Sequence, residues 1–164
     1  MLPDERDASG WVLKALREAG YSLIGELQGL DEETLTRRTA EGEWCLKETA
    51  AHLRDTELLA LRQMTAIVEG RSVLPAWNVD LLPAERDYRS AEVLTVLREL
   101  RDLRSETAHL LWGLFESDWQ SSGDHPYRGR VSIETIAREL AQHDLEHLWQ
   151  VRRLKYDLLE PESP

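Results

Sequence analysis

Cysteine is almost missing from this sequence. Cys45 is the only one in 164 residues, so no internal disulfide can form and the chain suits a reducing cytosol. Glycine and proline are sparse, nine and six residues, which argues against a loop-rich β-sandwich. No apolar run approaches the roughly 20 residues needed to span a bilayer. The opening stretch MLPDERDASG is acidic and has no apolar core of a secretory signal, so a cytoplasmic location is expected. Positive charge is also in deficit: 20 Lys and Arg stand against 31 Asp and Glu, a formal net charge of -11. A surface of that sign repels phosphate backbones and anionic headgroups. Neither nucleic acid nor a membrane is expected as a partner. No repeat, low-complexity block or linker divides the chain, so 1–164 reads as a single domain with a frayed tail at 160–164.

What the sequence does have is helical periodicity and six Trp. Apolar residues at Val12, Leu16, Leu23 and Leu27 predict a helix over 8–28, with Gly29 past its end. The polar stretch LDEETLTRRTAEGEW reads as a connection with a short turn of helix. Leu46, Ala50, Leu53, Ala60, Met64 and Ile67 predict a second helix over 46–69, stopped by Gly70. Residues 71–89 contain two prolines and no sustained period, a long crossover with room for one short helix and of the kind that is often functional. Ser90 is the expected N-cap of a third helix that runs from Val93 to about residue 116, with Glu92 in its first turn. The stretch SDWQSSGDHPYRGR reads as a loop. Ser132 should cap a fourth helix with a stripe through Ile133, Ile136, Leu140, His143, His147, Val151 and Leu154, ending before Pro161. The expected fold is therefore all-α, a four-helix bundle with a long crossover connection.

His143 and His147 lie in AQHDLEHLWQ. Four residues apart on a helix, they share a face with β-carbons about 5–6 Å apart, and both rings can reach one ion. They can equally be core histidines satisfied by a carboxylate or water. A protease of the H-x-x-E-H type does not fit, because too little chain follows His147 for its downstream ligand. Nor does H-E-x-x-H, since Asp144 stands where the catalytic Glu belongs. A ferritin-like di-iron site fails for want of a second Glu-x-x-His: Thr49 precedes His52 by three. A third ligand would come from His52, His109 or His125.

At these residues the sequence resembles the DinB-like superfamily, in its DinB-2 form. EWCLKETAAHLRDTE is similar to that family's W-x-x-x-E-x-x-x-H-L-x-D-x-E segment. HPYRGRVSIETIARELAQHDLEHLWQVRRLK is similar to its closing segment, with H-P-x-x-G and H-D-x-E-H-x-x-Q. The resemblance implies an up-down-down-up bundle, a homodimer, and a divalent metal (Zn, Ni, Fe or Mn) held by His52, His143 and His147. Cys45 departs from the family's usual Ser and removes a cap oxygen from the second helix.

Around such a centre Glu48 and Glu139, each four residues before a histidine, are candidate bases or orienting groups, with solvated helix-face charges as the plainer alternative. Glu57 interrupts an apolar run and is the expected buried carboxylate. Gln150, three after His147, can bond a ring or a substrate. Trp44, Trp77, Trp119 and Trp149 either line a pocket or fill the core. Three imidazoles leave open positions at which water or a thiol acidifies. The expectation is a metal-dependent hydrolase or a transferase that uses a low-molecular-weight thiol, acting on a small molecule. The alternative is a non-catalytic, stress-associated metal- or ligand-binding protein whose metal is structural.

Overall fold

The computed structural model describes residues 8–160. The expected fraying at 161–164 and the reading of residues 1–7 fall outside the described residues. Six helices and a two-stranded hairpin follow in order: α1 (Ala8–Leu27), α2 (Glu32–Thr36), α3 (Leu46–Val68), α4 (Leu82–Glu85), α5 (Val93–Trp112), β1 (Ser122–His125), β2 (Gly129–Ser132) and α6 (Ile133–Leu159). No helix among the described residues is long and apolar enough to cross a membrane.

The four long helices form the bundle. Each buries a stripe with the three-and-four spacing of one helical face: Val12, Leu16, Ala19, Leu23 and Leu27 on α1, and Leu46, Ala50, Leu53, Ala60, Met64 and Ile67 on α3. The packed neighbours are α1 with α6, α6 with α3, α3 with α5 and α5 with α1, so α1 lies diagonal to α3. Side-chain pairs set the directions. Arg54 meets Glu99 and Glu57 meets Arg104, so α3 and α5 run parallel. Glu26 meets Arg152 and Lys155, while Leu46 and Leu53 cluster with Leu148 and Leu154. Thus α6 runs with α1 and against α3, an up-down-down-up arrangement.

Two apolar clusters fill opposite ends. Val12, Leu16, Met64, Leu111, Ile133 and Leu140 belong to one. Leu23, Leu46, Val93, Leu97, Leu148 and Val151 belong to the other. Between them lies a buried polar layer. Glu57 (fully buried), Arg104, Thr107 and Asp144 each occupy a position that the helical period assigns to the core. Arg104 donates from Nε and Nη2 to the two Glu57 oxygens (3.0 and 2.6 Å) and from Nη2 to Asp144 Oδ2 (2.6 Å). It also donates to the Leu16 carbonyl. Gly20 makes this possible, because a Cβ there would lie 2.7 Å from Arg104 Nη1.

Three local expectations are corrected. Ser90 ends a short 3-10 turn, and α5 is capped by Glu92, whose carboxylate accepts from Leu94 N and Thr95 N; its side chain reaches two of the orphan amides at once. The stretch read as a loop before α6 folds into a 3-10 turn at Glu116–Gln120 and the β1–β2 hairpin. Buried Val131, the close contact of Gly123 with Leu74, and backbone bonds between Asp124 and both Ser72 and Leu74 tie that hairpin inward, so no period-2 pattern marks it. Third, the α6 stripe passes through Asp144 and Leu148 rather than through the two histidines.

The crossover from α3 to α5 is pinned by Tyr88. Its ring is buried and its hydroxyl donates to Asp55 Oδ2 at 2.7 Å. Asp55 also pairs with Arg54 (3.0 Å) and Arg86 (3.2 Å). Burial, and then the Asp55 carboxylate, hold the Tyr88 hydroxyl well above its ordinary range.

Candidate metal centre

His52 comes from the second turn of α3, and His143 and His147 come from successive turns of the antiparallel α6. All three are half-buried, on the seam between those helices. Trp44, just ahead of α3, presses edge-on against His52 with ring centroids 4.9 Å apart, and its other side meets Tyr88. The crossover therefore supports the ring from behind through Trp44.

The three rings point their Nε2 atoms at one another. His143 Nε2 is 2.8 Å from His52 Nε2 and 3.0 Å from His147 Nε2. An imidazole nitrogen carries either one proton or one lone pair, so His143 Nε2 can make only one of these two contacts as a proper hydrogen bond. His147 is further constrained. Its Nδ1 donates to the Gln150 carbonyl oxygen at 2.6 Å, which leaves Nε2 as a bare lone pair. Two nitrogens each about 2.0–2.1 Å from one ion, at angles between octahedral and tetrahedral, stand roughly 2.8–3.4 Å apart. The observed spacing falls in that range, and one cation would satisfy all three lone pairs together. His143 Nδ1 is buried and has no partner among the described residues, so packing alone orients that ring.

The electrostatics agree with a ligand set. Burial, and then the neighbouring His147, push His52 down to about 4. Burial, then His147 and His52, push His143 down to about 3. Burial also lowers His147, against the opposing pull of Gln150 and Glu146. All three are neutral at pH 7, the state in which imidazole binds metal.

The expected neighbours divide. Gln150 touches the cluster. Glu57 is buried as expected, but it faces Arg104 and Thr107 (2.7 Å) within the polar layer. Glu48 is corrected from a group beside His52 to a helix cap. Its carboxylate accepts from Cys45 N (3.3 Å) and Cys45 Sγ (3.2 Å) and pairs with Arg38 at 2.5 Å. It thereby satisfies the amide of Cys45 just ahead of α3, and burial raises the Cys45 thiol above its ordinary range. Glu139 takes the plainer of its two readings, a solvated helix-face charge: it is exposed and pairs with Arg128 at 2.5 Å. Both carboxylates are drawn away by other partners, Glu48 by Cys45 and Arg38 and Glu139 by Arg128. Trp119 is core, Trp77 packs beside Tyr88, and Trp149 is exposed. His109 lines a groove between α1 and α5, and His125 accepts from Tyr127 N in the hairpin, so neither joins the cluster.

Arg104 is the site-supporting residue that the sequence reading missed. It connects Glu57 to Asp144, which is the neighbour of His143. Its signal was an Arg in core register on α5, where Leu97, Leu100, Thr107 and Leu111 predict an apolar position.

The sequence of the DinB superfamily matches residues 15–151. A candidate metal-dependent hydrolase from Oceanobacillus iheyensis is 24% identical over 82% of this chain and 79% of its own length. Another from Geobacillus thermodenitrificans is 27% identical over 70% of this chain and 64% of its own. Among solved structures, YfiT from Bacillus subtilis superposes with a TM-score of 0.84 at 15% identity, over 93% of this chain and 89% of that one. It is described as a candidate metal-dependent hydrolase with an unusual four-helix bundle topology. The four-helix bundle protein TT2238 superposes with a TM-score of 0.60 at 21% identity, over 88% of this chain and 98% of that one.

Proposed function

This chain belongs to the DinB superfamily, and from that premise we propose that it is a metal-dependent hydrolase whose divalent ion is held by His52, His143 and His147. The observation that carries the reading is the convergence of three neutral Nε2 atoms on one half-buried point. The names carried by its relatives support it.

A divalent ion bound there supplies Lewis acidity, which brings a water or a thiol towards deprotonation near neutral pH. The chain's own part is to shape the place where that happens. Three uncharged ligands leave the ion's charge undiminished. No carboxylate among the described residues joins the cluster, since Glu48, Glu57 and Glu139 are all engaged elsewhere. Gln150 holds the His147 ring in the tautomer that presents Nε2. Trp44 covers one side of His52, so a substrate approaches from the solvent side of the α3–α6 seam.

The test uses tag-free protein stripped with chelator and reloaded with Zn, Ni, Mn or Fe. Panels of esters and amides are screened beside low-molecular-weight thiols with electrophilic acceptors. Hydrolysis that needs metal and is lost in His143→Ala, at an unchanged melting temperature, is the expected result. Turnover only with a thiol would replace hydrolase by thiol-dependent transferase. Metal binding without turnover in any panel, with collapse of the fold when the metal is removed, would make the ion structural and overturn the catalytic reading.

A further inference from the structure

The α1–α5 seam lies across the bundle from the histidines and holds a groove of about 850 Å³. That size falls within the range of roughly 300–1,000 Å³ typical of small-molecule sites. Leu13 and Ile24 of α1 and Trp112 of α5 give it apolar walls, and Tyr21 stands exposed at its rim. It runs beside α1 from Gly10 to Ile24, about 20 Å at the helical rise.

Its charge is the reverse of the molecule's. The chain carries a net -11, yet the lining includes Lys14, Arg17, Arg101 and Arg104 and no Asp or Glu. Arg17 makes no ion pair among the described residues, and Arg101 reaches only its own neighbour Asp102, at 3.1 Å. The floor is built as well as charged. Arg104 is more than nine-tenths buried, and four of its five N–H groups are taken by Glu57, Asp144 and the Leu16 carbonyl. The fifth sits on Nη1, beside Gly20, where a side chain would close the floor over it.

We propose that the α1–α5 groove binds an elongated organic carboxylate. Its apolar body lies along Leu13 and Trp112, and its head is held by Arg17 and Arg101 over the free N–H of Arg104. Guanidinium forks match a carboxylate's two oxygens. A cation has no acceptor among these side chains' charged ends and meets like charge. The site is separate from the histidine cluster and stands whether or not that cluster holds a metal.

Decanoate, kept below its micellar concentration, is titrated calorimetrically into chelator-treated protein, so that the carboxylate cannot be drawn to a metal. Saturable one-site binding is expected. It should weaken at least tenfold in the double variant Arg17→Gln with Arg101→Gln, which removes the head contacts. It should weaken as much in Ala108→Phe, which fills the groove from an exposed position. Both variants should keep the wild-type circular dichroism and melting temperature. Absence of saturable heat, equal binding of decyltrimethylammonium, or wild-type affinity in either variant overturns the proposal.

Discussion

Arg104→Met tests whether the buried polar layer is held by charge. Arg104 is the only cation among the buried residues that faces Glu57 and Asp144, at 2.6 Å from each through Nη2. Burial alone would lower the Arg104 guanidinium, but the two carboxylates hold it above its ordinary range. Met keeps most of the volume and removes the charge, so two carboxylates stay buried without a cation, Glu57 keeping only the Thr107 hydroxyl. Breaking a buried pair in this way costs about 3–5 kcal/mol, a large part of the roughly 5–15 kcal/mol that holds a domain of this size together. The loss should depend on pH. Burial already lifts Asp144 to about 6 in the intact layer, against the opposing attraction of Arg104. Without that attraction it rises further. A carboxyl whose folded value lies above its unfolded one stabilises the fold below the unfolded value, and that stability is lost as pH rises through the folded value. The three histidines act in the opposite sense in both proteins and largely cancel in the difference, apart from the smallest of the influences that lower His143, the Arg104 charge itself. Urea unfolding in chelator, followed by far-UV circular dichroism at stepped pH, reads that difference directly. It should be small near pH 4 and grow to about 3–5 kcal/mol by pH 8. Adding Glu57→Met and Asp144→Leu to Arg104→Met should recover most of the loss. A cost under about 1 kcal/mol at pH 8, or one that shrinks as pH rises, would refute the reasoning.

Gln150→Leu removes the acceptor that fixes the His147 tautomer. Metal affinity, read by competition with a chromophoric chelator, should fall about 10–100-fold while the melting temperature of the metal-free protein is retained. Tyr88→Phe deletes the hydrogen bond to the buried Asp55 carboxylate and should cost about 1.5–3 kcal/mol in urea unfolding, with the helical content unchanged. Because burial holds His52 near 4 and His143 near 3, protons compete weakly for those rings. With His147 lowered by burial as well, the decline in metal affinity should begin below the ordinary imidazole range, whereas an onset near pH 6.5 would show rings that are solvated and not buried.

The long helices were legible because each repeats an apolar face over five or more turns, and α6 begins where Ser132 places its cap. The histidine cluster was legible only in part. Spacing brought His143 and His147 to one side of α6 but left His52, His109 and His125 equally open. Family resemblance chose His52, and the antiparallel packing of α3 on α6 is what brings it there. The short helices α2 and α4 were anticipated, but the hairpin escaped detection because long-range contacts fix it, such as that of Gly123 with Leu74. The roles of Glu48 and Glu139 stayed open because sequence spacing records only their own helix. What engages them is Cys45 and Arg38 in one case and Arg128 in the other. Arg104 was invisible for the complementary reason: an Arg in core register makes sense only once Gly20, Glu57 and Asp144 arrive from three other helices.

Metal content per chain bears most directly on the central claim. Tag-free protein, stripped and then reloaded with each divalent ion in turn, is desalted and analysed by mass spectrometry beside His52→Ala, His143→Ala and His147→Ala. With at least one of these ions, the wild type should retain about one equivalent and each variant should lose most of it. Retention of far less than one equivalent with every ion, or full retention by all three variants, would contradict a centre built from these histidines.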